Sequence, residues 1–221
     1  MLHNNNYPHD VVVLSFAMAL LVLRDKLPTG IGASPPMLWG DGGRGKTSLV
    51  KSIATKVNVP YYIIRCPDEE PANQAGYPVP DMSTGTVRRM PSHMCHDVKA
   101  NNGNFIVFFD ELADAPRATQ VSFHAPIIDG EWGEVKLPPH MRAAASNPPE
   151  ISTTGGTISN TVAKRFVHFW YDPSEDNFVK AMMSPGVGGS WPEPDVPNLP
   201  KDWANELPAA QSLVAQFLKA K

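Results

Sequence analysis

Cysteine is scarce in this sequence of 221 residues, which contains only Cys66 and Cys95. Two cysteines without a regular spacing exclude a disulfide framework and a zinc ribbon, because both need several cysteines at defined separations. Free thiols are typical of proteins in reducing compartments, so we expect a cytoplasmic protein.

Long apolar runs are also missing. The longest, from Val11 to Leu23, contains a single polar residue and falls short of the roughly 20 residues that span a membrane. No lysine or arginine precedes it, so it lacks the basic start of a signal peptide. We therefore predict no membrane insertion but a buried helix over residues 10–27, with Asp10 as its N-cap and Pro28 and Gly30 at its end.

A strong excess of one charge is absent as well, since 19 lysines and arginines face 22 aspartates and glutamates, a formal net charge of −3. Neither half of the chain has the basic excess with which proteins neutralise nucleic-acid phosphates, so nucleic acid is not indicated as a partner. The length suffices for one α/β domain with a full core and a smaller additional segment.

The most specific pattern present is a glycine-rich turn between a short apolar strand at residues 37–39 and a predicted helix at residues 48–57. It fits the P-loop pattern at every fixed position, and glycines there let backbone N–H groups surround phosphate oxygens. We expect Lys46 to reach the β- and γ-phosphates and Thr47 to offer its hydroxyl to Mg²⁺. The predicted phosphate-binding residues are Gly40, Asp41, Gly42, Gly43, Arg44, Gly45, Lys46, Thr47 and Ser48.

A second pattern is the apolar run Phe105–Phe109, which ends in Asp110 and Glu111. A continuous apolar run is typical of a central parallel strand, whose carboxyl end is where open α/β sheets bind ligands. We predict that Asp110 holds Mg²⁺ and that Glu111 orients and deprotonates an attacking water. The alternative is two solvated carboxylates at the end of a strand.

Two further polar residues follow predicted elements of this sheet. Asn147 comes directly after the short strand 141–146, where its amide would hydrogen-bond the attacking water or the γ-phosphate. Arg165 lies between a short helix and the strand 166–171, a position from which a guanidinium can bridge phosphate oxygens of a neighbouring subunit. Each also has a structural alternative, a cap before two prolines for Asn147 and an ion pair on the sheet for Arg165.

The remaining segments complete a parallel α/β pattern. Strand, helix and strand in that order, ending at Tyr61–Arg65, predict a parallel sheet with a crossover helix. Further predictions are a hairpin at 77–88, helices at 91–99 and 115–128, a hairpin at 131–136 and a helix at 174–183. In the helix at 91–99, His93 and His96 lie one turn apart, but no second cluster completes a tetrahedral metal site, so we prefer a helix with Met94 and Val98 inside.

The ordered set of P-loop, Asp-Glu strand, Asn147 and Arg165 resembles the AAA+ ATPases, over about Met37 to Tyr171. Within them it is similar to the MoxR-like branch. The residues that carry this likeness are the 77–88 hairpin, Asp110, Glu111, Pro116, Gln120, Pro138, Asn147, Pro148, Pro149, Glu150, Gly155, Gly156, Arg165 and Phe166. The resemblance implies that Asn147 is the sensor 1 residue and that Arg165 is the arginine finger.

The resemblance further implies an α/β P-loop NTPase fold of three layers, a parallel sheet flanked by helices, with a reduced or truncated C-terminal lid. Residues 1–172 would form the ATPase core, and residues 173–221 a partial lid with a Pro/Gly-rich stretch at 185–200. The implied activity is hydrolysis of ATP with Mg²⁺ at interfaces between subunits, in a homo-oligomer, usually a hexameric ring, that remodels a protein client.

Two features depart from the family. Asp41 and Gly42 stand where the family commonly has two prolines, and Arg165 is the last arginine, so the lid arginine called sensor 2 has no counterpart here. Two alternatives therefore stay open. One is a nucleotide-locked assembly module with negligible turnover. The other is a monomeric P-loop phosphotransferase or GTPase, although no guanine-reading Asn-Lys-x-Asp run occurs.

Overall fold

The computed structural model describes residues 9–21, 34–150 and 156–183. In these residues the chain forms a five-stranded sheet, two small hairpins and flanking helices. The sheet strands are β1 (Pro36–Trp39), β2 (Tyr61–Arg65), β5 (Ile106–Asp110), β8 (Met141–Ser146) and β9 (Val167–Trp170), and the hairpin strands are β3 (Tyr77–Asp81), β4 (Thr86–Met90), β6 (Glu131–Trp132) and β7 (Val135–Lys136). The helices are α1 (His9–Leu21), α2 (Lys46–Lys56), α3 (Pro71–Ala75), α4 (His93–Ala100), α5 (Arg117–Ser122), α6 (His124–Ile128), α7 (Asn160–Ala163) and α8 (Glu175–Met183).

The five-stranded sheet is parallel throughout and has the order β2-β5-β8-β1-β9. The predicted parallel sheet is therefore confirmed. Strand β5 lies beside β8, and β8 lies beside β1, so the turns that follow these three strands meet at one edge of the sheet. This arrangement brings together the P-loop and the residues after β5 and β8.

Helices cover both faces of the sheet, which makes the fold three-layered. Along β5, Ile106 and Phe108 belong to one core with α1 and α2, whereas Val107 and Phe109 belong to a second core with α4 and α6. Because successive side chains of a strand point to opposite faces, a strand covered on both sides is apolar at every position. This burial explains the continuous apolar run that the sequence shows there.

Helix α1 packs in the first core through Val13, Phe16 and Leu20, as the prediction of a buried helix requires. The described helix includes His9, one residue before the predicted start. The predicted end lies outside the described residues. Among the described helices, none is both long and apolar enough to cross a membrane.

The single helix predicted over 115–128 is wrong, because the chain forms α5 and α6 with a break at Phe123. Pro126 explains the break, since its nitrogen carries no hydrogen to donate to the carbonyl of Ser122 in a continuous helix. The break turns Phe123 and Ile127 into the core and leaves Val121 60% exposed.

The other local predictions agree with the structure. Both hairpins form, although β3 and β4 extend to Asp81 and Met90, beyond the predicted strands. Met94 and Val98 of α4 are buried, and α8 forms within the predicted range. The Pro/Gly-rich stretch at 185–200 and Gly155 of the family pattern lie outside the described residues.

Candidate nucleotide site

The P-loop connects β1 to α2 through backbone conformations that require glycine. Gly43 and Gly45 have φ angles of 74° and 86°, in the left-handed region that a side chain disfavours. Gly40 has a different reason, because a Cβ atom there would lie 2.2 Å from the carbonyl oxygen of Tyr171. Helix α2 then begins at Lys46, so the first N–H groups of a helix border the loop.

Lys46 is 8% exposed, and its ammonium has three hydrogen-bond acceptors. The Nζ atom donates to the carbonyl oxygen of Gly40 at 2.6 Å, to that of Asp41 at 2.9 Å and to Oδ1 of Asn147 at 2.9 Å. Burial lowers the pKa of Lys46, and the nearby carboxylate of Asp110 opposes that shift. The predicted lysine and the predicted amide thus meet, although they are far apart in sequence.

Thr47 and Asp110 also meet. The hydroxyl of Thr47 donates to Oδ2 of Asp110 at 2.7 Å, which joins the start of α2 to the end of β5. A hydroxyl and a carboxylate side by side are hard oxygen ligands, and Mg²⁺ usually takes only one or two such groups from a protein and the rest from phosphates and water. The pair therefore fits the predicted Mg²⁺ ligands.

Glu111 follows in an unusual backbone conformation, with a φ angle of 56°. A non-glycine residue in this region stores strain of roughly 1 kcal/mol or more, and such strain is frequent at functional sites. Partial desolvation raises the pKa of the Glu111 carboxyl, and repulsion from Asp110 and Asp114 adds to that shift. The conformation leaves its side chain exposed rather than buried beside the strand.

Part of this site opens onto a cleft of about 900 Å³. Thr47, Asp110 and Glu111 line it, together with Lys51 and Arg65, which the sequence analysis did not single out. Arg65 ends β2 and lies in register with Asp110 on the adjacent strand. Arg65 could have been predicted from the sequence as a site residue, because it ends the second predicted strand and parallel strands end at the same edge of the sheet.

Arg165 does not line this cleft. It is exposed after α7, and in the described part of the chain no residue pairs with its guanidinium. It borders a separate cleft of about 360 Å³ with Asn160, Thr161 and Lys164. The structural alternative of an ion pair on the sheet therefore has no support among the described residues, and the predicted role in a neighbouring subunit stays a prediction.

The remaining predicted P-loop residues lie in the loop or in the first turn of α2. Asp41 contributes its carbonyl oxygen to Lys46, and a Cβ atom on Gly42 would lie 4.0 Å from Oδ1 of Asn147. Arg44 lies between the two left-handed glycines, and Ser48 lies in the first turn of α2. All of the predicted site residues except Arg165 thus lie at the ends of β1, β5 and β8 or in the segments that directly follow them.

The strand order, the P-loop after β1 and the carboxylates after β5 define a P-loop NTPase fold of the AAA+ type. Residues 36–125 match the family model described as "ATPase family associated with various cellular activities (AAA)". Among curated proteins, none matches this chain in sequence.

Solved structures were also found to be similar to this chain. A protein described as a "putative ATPase", from Cytophaga hutchinsonii, superimposes with a TM-score of 0.50 at 15% identity, covering 82% of this chain and 52% of that one. The RuvB Holliday junction branch migration motor of Thermotoga maritima gives a TM-score of 0.46 at 17% identity, covering 75% of this chain and 45% of that one. This chain therefore spans about half the length of these two structures, and the first likeness speaks to the fold alone.

Proposed function

We propose that this chain is an ATP-hydrolysing AAA+ motor of the MoxR-like type, which couples hydrolysis of Mg²⁺-ATP at subunit interfaces to remodelling of a protein client. The observation that carries the proposal is the junction at the carboxyl ends of β1, β5 and β8. There Lys46 bonds to Asn147, Thr47 bonds to Asp110, and Glu111 stands beside the pair. A phosphate-binding loop next to a carboxylate pair and an amide is the arrangement that hydrolysis of a nucleoside triphosphate needs.

In this proposal each side chain has a separate task. The P-loop N–H groups and Lys46 bind the phosphates, and Lys46 exchanges its carbonyl partners for phosphate oxygens. Thr47 and Asp110 would hold Mg²⁺, which would stabilise the charge that develops on the phosphate oxygens. Glu111 orients a water and accepts its proton, and the amide of Asn147 positions the water or the γ-phosphate.

The exposed Arg165 supports a site shared between subunits. Because it borders a different cleft from Glu111, a single chain does not present both groups to one phosphate. In a homo-oligomer, which we propose is a hexameric ring, the Arg165 of one subunit would complete the site of the next. An arginine supplied in this way contributes about 10³-fold or more to the rate in other NTPases.

The nucleotide-locked module and the monomeric phosphotransferase differ from the motor in measurable ways. A locked module binds nucleotide with negligible turnover, and a monomeric enzyme turns over at a rate per chain that does not depend on protein concentration. A ring motor's rate per chain rises with concentration as subunits assemble. Steady-state ATP hydrolysis measured over a wide range of protein concentration therefore separates the three.

Two substitutions test the site itself. Lys46→Ala removes the buried cation from the phosphate nest and should abolish ATP binding in calorimetry. Glu111→Gln keeps the side-chain shape but cannot accept a proton, so ATP should still bind while turnover falls by about 10²-fold or more. As a control, Lys56→Ala at the far end of α2 should change neither property. Unchanged ATP affinity in Lys46→Ala, or near-normal turnover in Glu111→Gln, would overturn the assignment.

A further inference from the structure

Helix α7 is tied at its N-terminus to a buried glutamine, Gln120 of α5. Ser159 caps the helix, because its hydroxyl accepts from the N–H of Val162 at 3.2 Å. The backbone N–H of Ser159 in turn donates to Oε1 of Gln120 at 3.3 Å, and Nε2 of Gln120 donates to the carbonyl oxygen of Thr157 at 3.2 Å. One side-chain amide therefore holds the chain where it enters α7.

The same amide also holds the segment that follows Glu111. Nε2 of Gln120 lies 3.3 Å from the carbonyl oxygen of Ala113 and 3.0 Å from that of Ala115. The N–H of Ala113 donates to Oγ of Ser146, the last residue of β8, at 3.0 Å. Ala113 is thus held between β8 and Gln120, two residues after the left-handed backbone of Glu111.

Burial makes these contacts firm constraints. Gln120 is 2% exposed, so loss of its bonds would leave buried polar groups unpaired, which costs more than such bonds contribute on average. The orientation of the amide is also defined, because Nε2 faces carbonyl oxygens and Oε1 faces an N–H. Gln120 is therefore a rigid link between the segment after Glu111 and α7.

The C-terminal end of α7 is tied to β1. Trp39, the residue before the P-loop, donates from its indole Nε1 to Nδ1 of His168 at 2.8 Å. Because that nitrogen accepts, the ring proton lies on Nε2, which donates to the carbonyl oxygen of Ala163 at 2.8 Å. Arg165 follows at once, and its N–H donates to the carbonyl oxygen of Val162 at 3.0 Å. The placement of α7 therefore sets the point from which the Arg165 side chain extends.

We propose that Gln120 is a positioning residue for the shared ATPase site, because it fixes α7 and so sets where Arg165 is presented to the next subunit. Gln120 is not among the described residues that line the cleft of Glu111, so it acts through α7 rather than on the nucleotide. The inference rests on the proposed function, which supplies the role of Arg165.

Hydrogen exchange tests this tie without any ATPase activity. Gln120→Met keeps the length of the side chain but removes its donor and its acceptor. The amide protons of Ala163 and Lys164, which are bonded within α7, should then exchange about fivefold faster or more, while those of β5 keep their protection. Gln74→Met is the matched control, because Gln74 is also buried but its Nε2 bonds to Glu69, and it should leave α7 unchanged. Unchanged exchange in α7 of the Gln120→Met chain would overturn the proposal.

Mixing experiments test whether the effect passes through Arg165. Gln120→Met should lower turnover by about tenfold or more and keep ATP affinity within a few-fold, as misplacement of a catalytic group does. Mixed with Glu111→Gln, it should regain activity, because some interfaces pair its intact Glu111 with a correctly placed Arg165. Mixed with Arg165→Ala, it should not, because every remaining arginine then comes from a Gln120→Met chain. The reverse pattern, or recovery in both mixtures or in neither, would contradict the proposal.

A second pair of variants serves if Gln120→Met fails to fold. Ser159→Ala and Ser159→Pro both lose the hydroxyl cap, but only proline also lacks the N–H that bonds to Gln120. Proline fits the backbone there, because the φ angle of Ser159 is −61°. Turnover should be several-fold lower in Ser159→Pro than in Ser159→Ala, and equal turnover would refute the role of Gln120.

The mixture of Glu111→Gln with Arg165→Ala is the reference for the proposed function. If that mixture stays inactive, the shared site fails for a reason unrelated to Gln120. The exchange experiment then decides alone whether Gln120 holds α7.

Discussion

Lys46 and His140 are both buried basic residues, but their surroundings affect the pKa of each differently. Lys46 has three oxygen acceptors. Burial lowers its pKa, and the charges of nearby carboxylates, Asp110 first, oppose that shift. His140 is 2% exposed, and its Nδ1 donates to the carbonyl oxygen of Pro138 at 2.9 Å. Burial, together with the charge of Arg142, lowers the pKa of His140 to about 4. The fold therefore keeps this histidine neutral.

This burial makes stability depend on pH. The folded pKa of His140 is about 4, against 6.5 for an unperturbed histidine. Between these values the unfolded chain binds a proton that the folded chain does not. The contribution of His140 to the free energy of unfolding should thus be unaffected above pH 6.5 and fall by about 1.4 kcal/mol per pH unit below it, roughly 3 kcal/mol in total by pH 4.

The variant His140→Asn isolates this contribution from those of the carboxylates. Asparagine keeps a donor for Pro138 but cannot take up a proton, so its free energy of unfolding, measured by urea denaturation, should fall less steeply with pH. His96→Asn on the surface of α4 is the control for loss of a histidine. Identical slopes for the unaltered chain and His140→Asn would show that His140 does not titrate as the structure requires.

At the scale of elements, the β3–β4 hairpin stands apart from the two cores. Both its strands are exposed, and Met82 at its tip is 91% exposed. Its turn is held locally, because Asp81 accepts from the N–H of Ser83 at 3.0 Å and pairs with Arg88 at 2.6 Å. An isolated two-stranded hairpin is only marginally stable in water, so its exposed apolar residues are suited to contact with another chain.

If the proposed function holds, we expect this hairpin to contact the client and to face the central pore. Replacing Met82–Gly85 by a two-residue Asn-Gly turn should preserve the strand register, the melting temperature and the basal ATPase rate. In the Glu111→Gln chain with ATP bound, the same replacement should also abolish the co-purification of client proteins, which mass spectrometry would identify. Glu134→Ala, in the turn of the other hairpin, is the matched control. Loss of the basal ATPase rate together with the co-purifying proteins would instead indicate a structural role for the hairpin.

At the scale of the whole molecule, the cleft that contains Glu111 and the cleft that contains Arg165 are separate. The proposal of a ring therefore depends on whether one chain supplies the arginine for another. A structural arginine would change the melting temperature when it is removed. An arginine finger would change only the rate, because it stabilises charge that develops in the transition state.

Mixing two inactive chains tests this point. Arg165→Ala should keep ATP affinity within a few-fold and lower turnover by about 10³-fold, or roughly 4 kcal/mol in the barrier. Glu111→Gln should be inactive for a different reason. In a mixed ring, some interfaces pair an intact Glu111 with an intact Arg165 from the next subunit, so part of the activity should return. No recovery at any mixing ratio, with assembly confirmed by light scattering, would refute the shared site.

The sequence by itself determined the features that depend on neighbours along the chain. The P-loop follows from glycine spacing, because backbone freedom and the start of a helix are local properties. The run Phe105–Phe109 predicted a central strand, because a strand covered on both faces must be apolar at each position. The turn residues within 77–88 likewise predicted the hairpin.

Only the tertiary structure decided which residues meet and which stay exposed. The bonds from Lys46 to Asn147 and from Thr47 to Asp110 depend on the strand order, which brings distant turns to one edge of the sheet. The separation of Arg165 from Glu111 likewise depends on where α7 lies. Long-range packing sets each of these, so no local pattern along the chain contains them.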